Sequence, residues 1–184
     1  MTEIRISAAM ARQKFHGCES GYIRDICHAS CCLSSVDPSG VLIAIHPREQ
    51  RAIEVRGGMV VNGLLQPRGD RCPFHGDGLL CSLHGTTDKP FGCVLSPFTI
   101  NASGTLIIRN RYRLLKCYGQ GRAAYQVFFP SLVLLFGPEG AARVREHLDR
   151  EGGDLVLKAD PVACQMALDN DKIKHGGTLQ LEFL

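Results

Sequence analysis

The 184-residue chain contains no tryptophan and only four tyrosines. That leaves few aromatic platforms for stacking bases, which counts against a dedicated single-strand nucleic-acid binder. Neither sign of charge dominates: the net charge of +3 permits an anionic partner without requiring one. The longest apolar run, VFFPSLVLLF, stops at ten residues and carries Pro130. A membrane span needs about 18 or more, so no membrane association is expected. The first residues, MTEIRISAAMARQKFHG, lack the apolar centre of a secretory leader because Arg5, Arg12 and Lys14 interrupt them. These absences together point to a reducing, cytoplasmic setting. P-loop, dinucleotide fingerprint and Ser-His-Asp signatures are also missing. No residue stands out as a general acid or base, and the catalytic residues are unknown at this level.

What the chain has is cysteine. Seven of its nine cysteines fall in one order: Cys27, Cys31 and Cys32, then Cys72, Cys81 and Cys93, then Cys117. An odd number cannot pair completely into disulfides, and a reducing compartment disfavours such pairs. Soft thiolates suit zinc or an iron–sulfur cluster rather than magnesium or calcium. Both kinds of site commonly take four protein ligands. Seven candidates exceed four, so the set holds either two metals or one metal beside structural or reactive thiols. Adjacent side chains diverge, which makes Cys31 and Cys32 awkward as equal ligands of one ion. Cys18 and Cys164 read as small buried hydrophobes. His28, His75 and His84 neighbour the cysteines and read as polar loop residues or as hydrogen-bonding partners of ligands.

Local patterns predict a short helix over 6–16 capped by Ser7, an irregular segment over 17–40, and a buried strand over 41–45. A helix over PREQRAIEVR should begin at Pro47 and end at Gly57-Gly58. MVVNGLL reads as a strand. Residues 66–98 show little periodicity, and a structureless stretch of that length needs something to tie it down. TLIIRNRYRLLKC (105–117) reads as one strand with Arg109, Arg111 and Arg113 on a single basic face, a place for an anionic partner. Gly119-Gln120-Gly121 reads as a turn that could also offer donors to an anion at the following helix. Helices are expected over 122–136, with a kink at Pro130, over 138–150, and from Asp160-Pro161 onward. LVLK (155–158) and LQLEFL (179–184) are expected as strands.

In order, ICHASCC, Cys72-Pro73-Phe74, Cys81-Ser82-Leu83-His84, Lys89-Pro90-Phe91-Gly92-Cys93-Val94-Leu95-Ser96-Pro97 and Cys117-Tyr118-Gly119-Gln120-Gly121 resemble the CxxCxxCC, or YkgJ-like, cysteine-cluster family of zinc- or iron-chelating domains. The resemblance covers roughly residues 15–125. The chain departs from the family pattern in the spacing of its first cysteines. It also has Lys89 and Val94 where arginines are usual, and His84 where an aromatic is usual. The resemblance implies metal chelation by the seven cysteines. A similar cluster occurs within flagellin lysine methylases, although this chain carries no methyl-donor motif.

The expectation is a single α+β domain over 1–184, with a small sheet, several helices and a long loop region organised by a cysteine-bound metal centre. Residues of about 122–170 would form a helical C-terminal extension. The expected function is a metal-binding cysteine-cluster protein holding an iron–sulfur cluster or zinc in an accessory or structural role. The alternative is a metal-cluster-dependent enzyme that modifies a protein or nucleic acid.

Overall fold

A computed structural model describes residues 2–33 and 43–174. The fold is α+β. Strand β1 (Glu3–Ile6) alternates exposed and buried residues, and Ile4 and Ile6 face the core. Ser7 then caps the short helix α1 (Ala8–Ala11), its hydroxyl accepting from the Met10 N–H at 3.4 Å. The helix expected from residue 6 therefore starts after a strand, because β1 finds partners on both sides. The two-residue strand β2 (Lys14–Phe15) follows, then one helical turn, α2 (Ser20–Tyr22), which widens into a π-helical turn over Ile23–Cys27. A 3-10 turn spans Ser30–Cys32. Much of the expected irregular segment is thus helical turn, and its residues 34–40 lie outside the described residues.

Strand β3 (Ile43–Ala44) falls within the expected 41–45 strand, whose first two residues are not described. Helix α3 (Pro47–Val55) runs as expected, from Pro at its first position to Gly57 at φ +86°. MVVNGLL is a hairpin rather than one strand: β4 (Val60–Val61) and β5 (Leu64–Leu65) pair around Asn62-Gly63, both at positive φ. An Asn-Gly pair supplies that turn at little steric cost. The segment expected to lack structure over 66–98 contains helix α4 (Phe91–Leu95) and the start of strand β6 (Phe98–Ile100).

Strand β7 (Thr105–Ile108) is shorter than expected. Its antiparallel partner β6 pairs from Ile100↔Leu106 to Phe98↔Ile108, and Pro97 precedes it. Proline has no N–H for a ladder, so pairing ends there, with the Arg109 N–H donating to the Pro97 carbonyl at 3.1 Å. Beyond it the chain coils into a 3-10 helix over Asn110–Leu114. Arg109, Arg111 and Arg113 consequently do not share one strand face.

Strand β8 (Arg122–Ala123) and helix α5 (Ala124–Val127) lead into α6 (Phe129–Asp149). Pro130 sits in the first turn of α6, where no N–H is needed. The interruption falls at Gly137 (φ 70°, ψ 172°), just before Pro138. Strand β9 (Leu155–Lys158) and helix α7 (Pro161–Lys174) complete the described chain. Asp160 caps α7 by accepting from the Ala163 N–H at 2.8 Å. The expected strand over 179–184 lies outside the described residues.

The main sheet has the order β6-β7-β1-β9, with β1 parallel to β7 and antiparallel to β9. Its apolar face packs under α6 and α7, with Ile4, Ile6, Phe98, Ile100, Leu106 and Ile108 meeting Leu132, Leu135, Val144 and Ala167 in one core. A second, smaller core lies beneath the three-stranded sheet β3-β5-β4 and α3. It contains Ile45, Ile53, Leu65, Cys72, Phe74 and Leu83, with Cys32 and Cys81 packed against it. Gly58 is part of this packing: a Cβ there would stand 2.7 Å from Ile53 and 2.9 Å from both Leu65 and Phe74. The residues expected as a C-terminal extension are integral, since α7 contacts α4, β3 and β6. Among the described residues no helix is long and apolar enough to cross a membrane.

Candidate metal centre

The first cysteine run is shaped by unusual backbone. Cys27 ends the π-helical turn, and His28 and Ala29 follow at φ +49° each. Two consecutive left-handed residues without glycine cost roughly 1–3 kcal/mol apiece, and such strain gathers at functional sites. They reverse the chain so that the Ser30 hydroxyl donates to the Cys27 carbonyl. Cys31 and Cys32 emerge from the 3-10 turn with their sulfurs 3.9 Å apart.

An isolated antiparallel bridge, Leu33↔Arg71, then lays this run beside the second one, and the Cys72 N–H donates to the Cys32 carbonyl at 2.9 Å. The chain after Cys72 folds back as a hairpin. Gly76 donates to Leu80 at 2.9 Å and Ser82 donates to Phe74 at 2.8 Å. The residue bridged to Cys81 is His75, not Cys72. Cys93 rides on α4. Glu49 fixes that helix to α3: one carboxylate oxygen accepts from the Phe91 N–H at 2.5 Å and the other from the His46 N–H at 3.0 Å.

Cys117 belongs to another neighbourhood. Its carbonyl accepts from the His16 N–H at 2.9 Å, and Tyr118 bridges Phe15. Two residues beyond His16 stands Cys18. The Tyr22 hydroxyl donates to the Lys116 carbonyl at 3.1 Å, and the His16 ring stacks on the Tyr22 ring with centroids 3.6 Å apart. Gly121 allows this docking: at φ +76°, a Cβ there would fall 2.5 Å from the Phe15 carbonyl oxygen. The Gly119 N–H is spent on the Lys14 carbonyl at 2.8 Å. The glycine pair therefore serves a strand contact and leads into β8, and the four-residue α5 that follows is too short to act as an anion site.

The thiols shift one another's titration. Cys18 keeps exposed surface, but desolvation by the protein around its sulfur, then the charges of Cys31 and Cys27, push it up to about 11. Burial is also the leading cause at Cys72 (about 11), Cys93 (about 12) and Cys117 (about 12). Cys81 and Cys31 raise Cys72 further, while Cys18, Cys31 and Cys27 raise Cys117. Cys31 moves the other way, down to about 7. Its residue keeps exposed surface, but the Cys32 thiol hydrogen bonds to its sulfur, and the Arg111 and Lys89 cations help against the desolvation around it. Cys32 is raised correspondingly. Arg111 also donates to the Cys31 carbonyl at 2.6 Å.

Cys32, Cys72 and Cys81 border the smaller core and Cys117 borders the main core, while the segments bearing Cys18 and Cys27 are tied to that of Cys117 through His16 and Tyr22. Cys18 is exposed rather than buried, which corrects the sequence expectation. Its only local signal is a position nine residues before Cys27, and the strand pairing that carries it to Cys117 is not local. Cys164 is 1% exposed in the main core and stands apart. His28 and His84 are exposed. His75 is buried, and among the described residues neither ring nitrogen has a hydrogen-bond partner. Burial lowers its pKa, and the His28 backbone opposes that shift without reaching hydrogen-bond geometry. Among the described residues no three or more Cys, His, Asp or Glu side chains already converge on a common point as ligands.

Two surface clefts lie elsewhere. One is lined by Arg48, Arg51, Ala52, Val55, Arg56 and Asp88, the other by residues around Glu139 and Arg143, and neither includes a cysteine. No family model, curated protein or solved structure matches the chain.

Proposed function

We propose that this protein is a metal-binding cysteine-cluster protein, holding zinc or an iron–sulfur cluster in a structural or accessory role. One observation carries the reading: the backbone lays the Cys32 segment against Cys72 and bridges Cys81 to His75, a buried imidazole whose two nitrogens have no partner among the described residues. A buried polar group without a partner is costly, about 1–3 kcal/mol, and thiolates or their metal would supply one. The soft donor set fits either group. Cys27, Cys31, Cys32, Cys72, Cys81, Cys93 and Cys117 would hold it, as the resemblance to YkgJ-like domains also implies. The bound metal would supply cross-links where the Cys72–Cys93 stretch has few regular elements, so its binding free energy would add to folding free energy.

The test is anaerobic purification with metal and acid-labile sulfide analysis. Stoichiometric zinc without sulfide assigns zinc, and iron with matching sulfide assigns a cluster. Protein that carries neither, and takes up neither on reconstitution under reducing conditions, overturns the reading.

A further inference from the structure

We infer that the gathered thiols form two adjacent four-thiolate centres: Cys32, Cys72, Cys81 and Cys93 in the first, Cys18, Cys27, Cys31 and Cys117 in the second. The inference rests on the metal-binding reading and adds to it a second site and a ligand, Cys18, outside the seven.

The division follows the packing. Cys72 is part of the smaller apolar core, and Cys32 and Cys81 pack against it. The Cys72 N–H reaches the Cys32 carbonyl, and Cys81 sits across the hairpin from His75. Cys93 joins them on α4, which Glu49 ties to α3, the helix covering this core. Cys117 instead packs against the main core with Tyr112 and Tyr118. Cys18 is delivered to it by the β2–β8 pairing and the His16–Cys117 backbone bond. The Tyr22–Lys116 contact anchors the helical turn that ends at Cys27.

The vicinal pair lies on the boundary: its sulfurs are 3.9 Å apart, but the Cys32 carbonyl is held by the Cys72 N–H and the Cys31 carbonyl by Arg111. Arg111 lies on the 3-10 turn that leads to Cys117, so Cys31 is held on the side of the second centre. Eight ligands match the requirement of two four-thiolate sites without remainder. His75 is then a positioning residue for the first centre, its ring N–H available to a thiolate sulfur.

The reduced, metal-free full-length chain is titrated anaerobically with Co2+, and the thiolate-to-cobalt charge-transfer absorption is followed. Wild type should saturate at two equivalents. C81S/C93S and C18S/C117S should each saturate at one. Saturation of wild type at one equivalent, or retention of two by C18S/C117S, overturns the division while leaving metal binding intact. No uptake by wild type removes the metal-binding reading itself. A second measurement uses wild type alone, so it does not depend on how the variants fold. Alkylation mapped by mass spectrometry, with and without Co2+, should show metal-dependent protection of Cys18 and Cys27 as well as Cys72 and Cys93. Equal labelling of Cys18 in both states overturns its assignment.

Discussion

His75 concentrates the chemistry of the site at the scale of one residue. It is 8% exposed, both ring nitrogens lack partners among the described residues, and burial lowers its pKa. Side chains that steady ligands typically affect metal affinity by about 10–100-fold. His75→Phe should therefore weaken metal binding by about that factor, measured by competition with a chromogenic chelator. It should leave the metal-free protein at least as stable, since an apolar ring removes an unpaired polar group. Unchanged affinity would show that His75 does not touch the metal site. His75 stands next to the Gly76-Asp77-Gly78 turn of its hairpin. Its burial was not legible, because that depends on Cys32 and Leu83 arriving from elsewhere to build the smaller core.

Among elements, α3 was the most readable. Pro47 and Gly57 are local signals, and a capping box between His46 and Glu49 starts the helix. What no local pattern announces is that the Glu49 carboxylate has a second task. Its other oxygen takes the Phe91 N–H and so holds the helix that bears Cys93. Burial raises the Glu49 carboxyl above its ordinary range, and the two backbone donors draw it back in part. Glu49→Ala should cost roughly 1–3 kcal/mol in urea unfolding of the metal-free protein, because buried N–H groups lose their acceptor. A change below about 0.5 kcal/mol, the ordinary size of an innocuous surface substitution, would mean that water replaces the carboxylate. The strand expected over 105–117 failed for the complementary reason. Its alternation is genuine, but a strand lasts only as long as its partner, and Pro97 ends β6 opposite Ile108.

The raised thiols make a prediction about the whole molecule. In the metal-free protein Cys72 and Cys93 keep their protons up to about 11 and about 12, against 9.0 in the unfolded chain. Between those values the unfolded state holds fewer protons than the folded one, so stability falls as pH rises. Thermal melts of metal-free protein should be level with pH as far as these thiols are concerned below about 9, then decline steeply towards 11–12. Cys93→Ala should flatten the decline, and an equally steep decline in that variant would exclude Cys93 as its source. Metal binding needs the opposite protonation state, so affinity should rise with pH over the same range as protons are released. The two cores give the molecule a division of labour. The α6–α7 side is braced by conventional apolar packing, and the buried His46–Asp169 pair, 3.5 Å apart, connects α7 to the cap of α3 on the cysteine side.

The sequence by itself determined the local matters: an α+β composition of elements, the limits of α3 and β9, the cap of α7, and the order of the cysteines along the chain. Those follow from side-chain chemistry and from periodicities of a few residues. Only the tertiary structure decided which cysteine-bearing segments are neighbours. The segment of Cys18 lies beside that of Cys117 through the His16–Cys117 backbone bond, the Cys72 N–H reaches the Cys32 carbonyl beside the Leu33–Arg71 bridge, and the basic stripe dissolves when β6 runs out. The physical reason is that contacts between distant segments are set by which apolar surfaces bury together, a property of the whole packed chain rather than of any stretch of it.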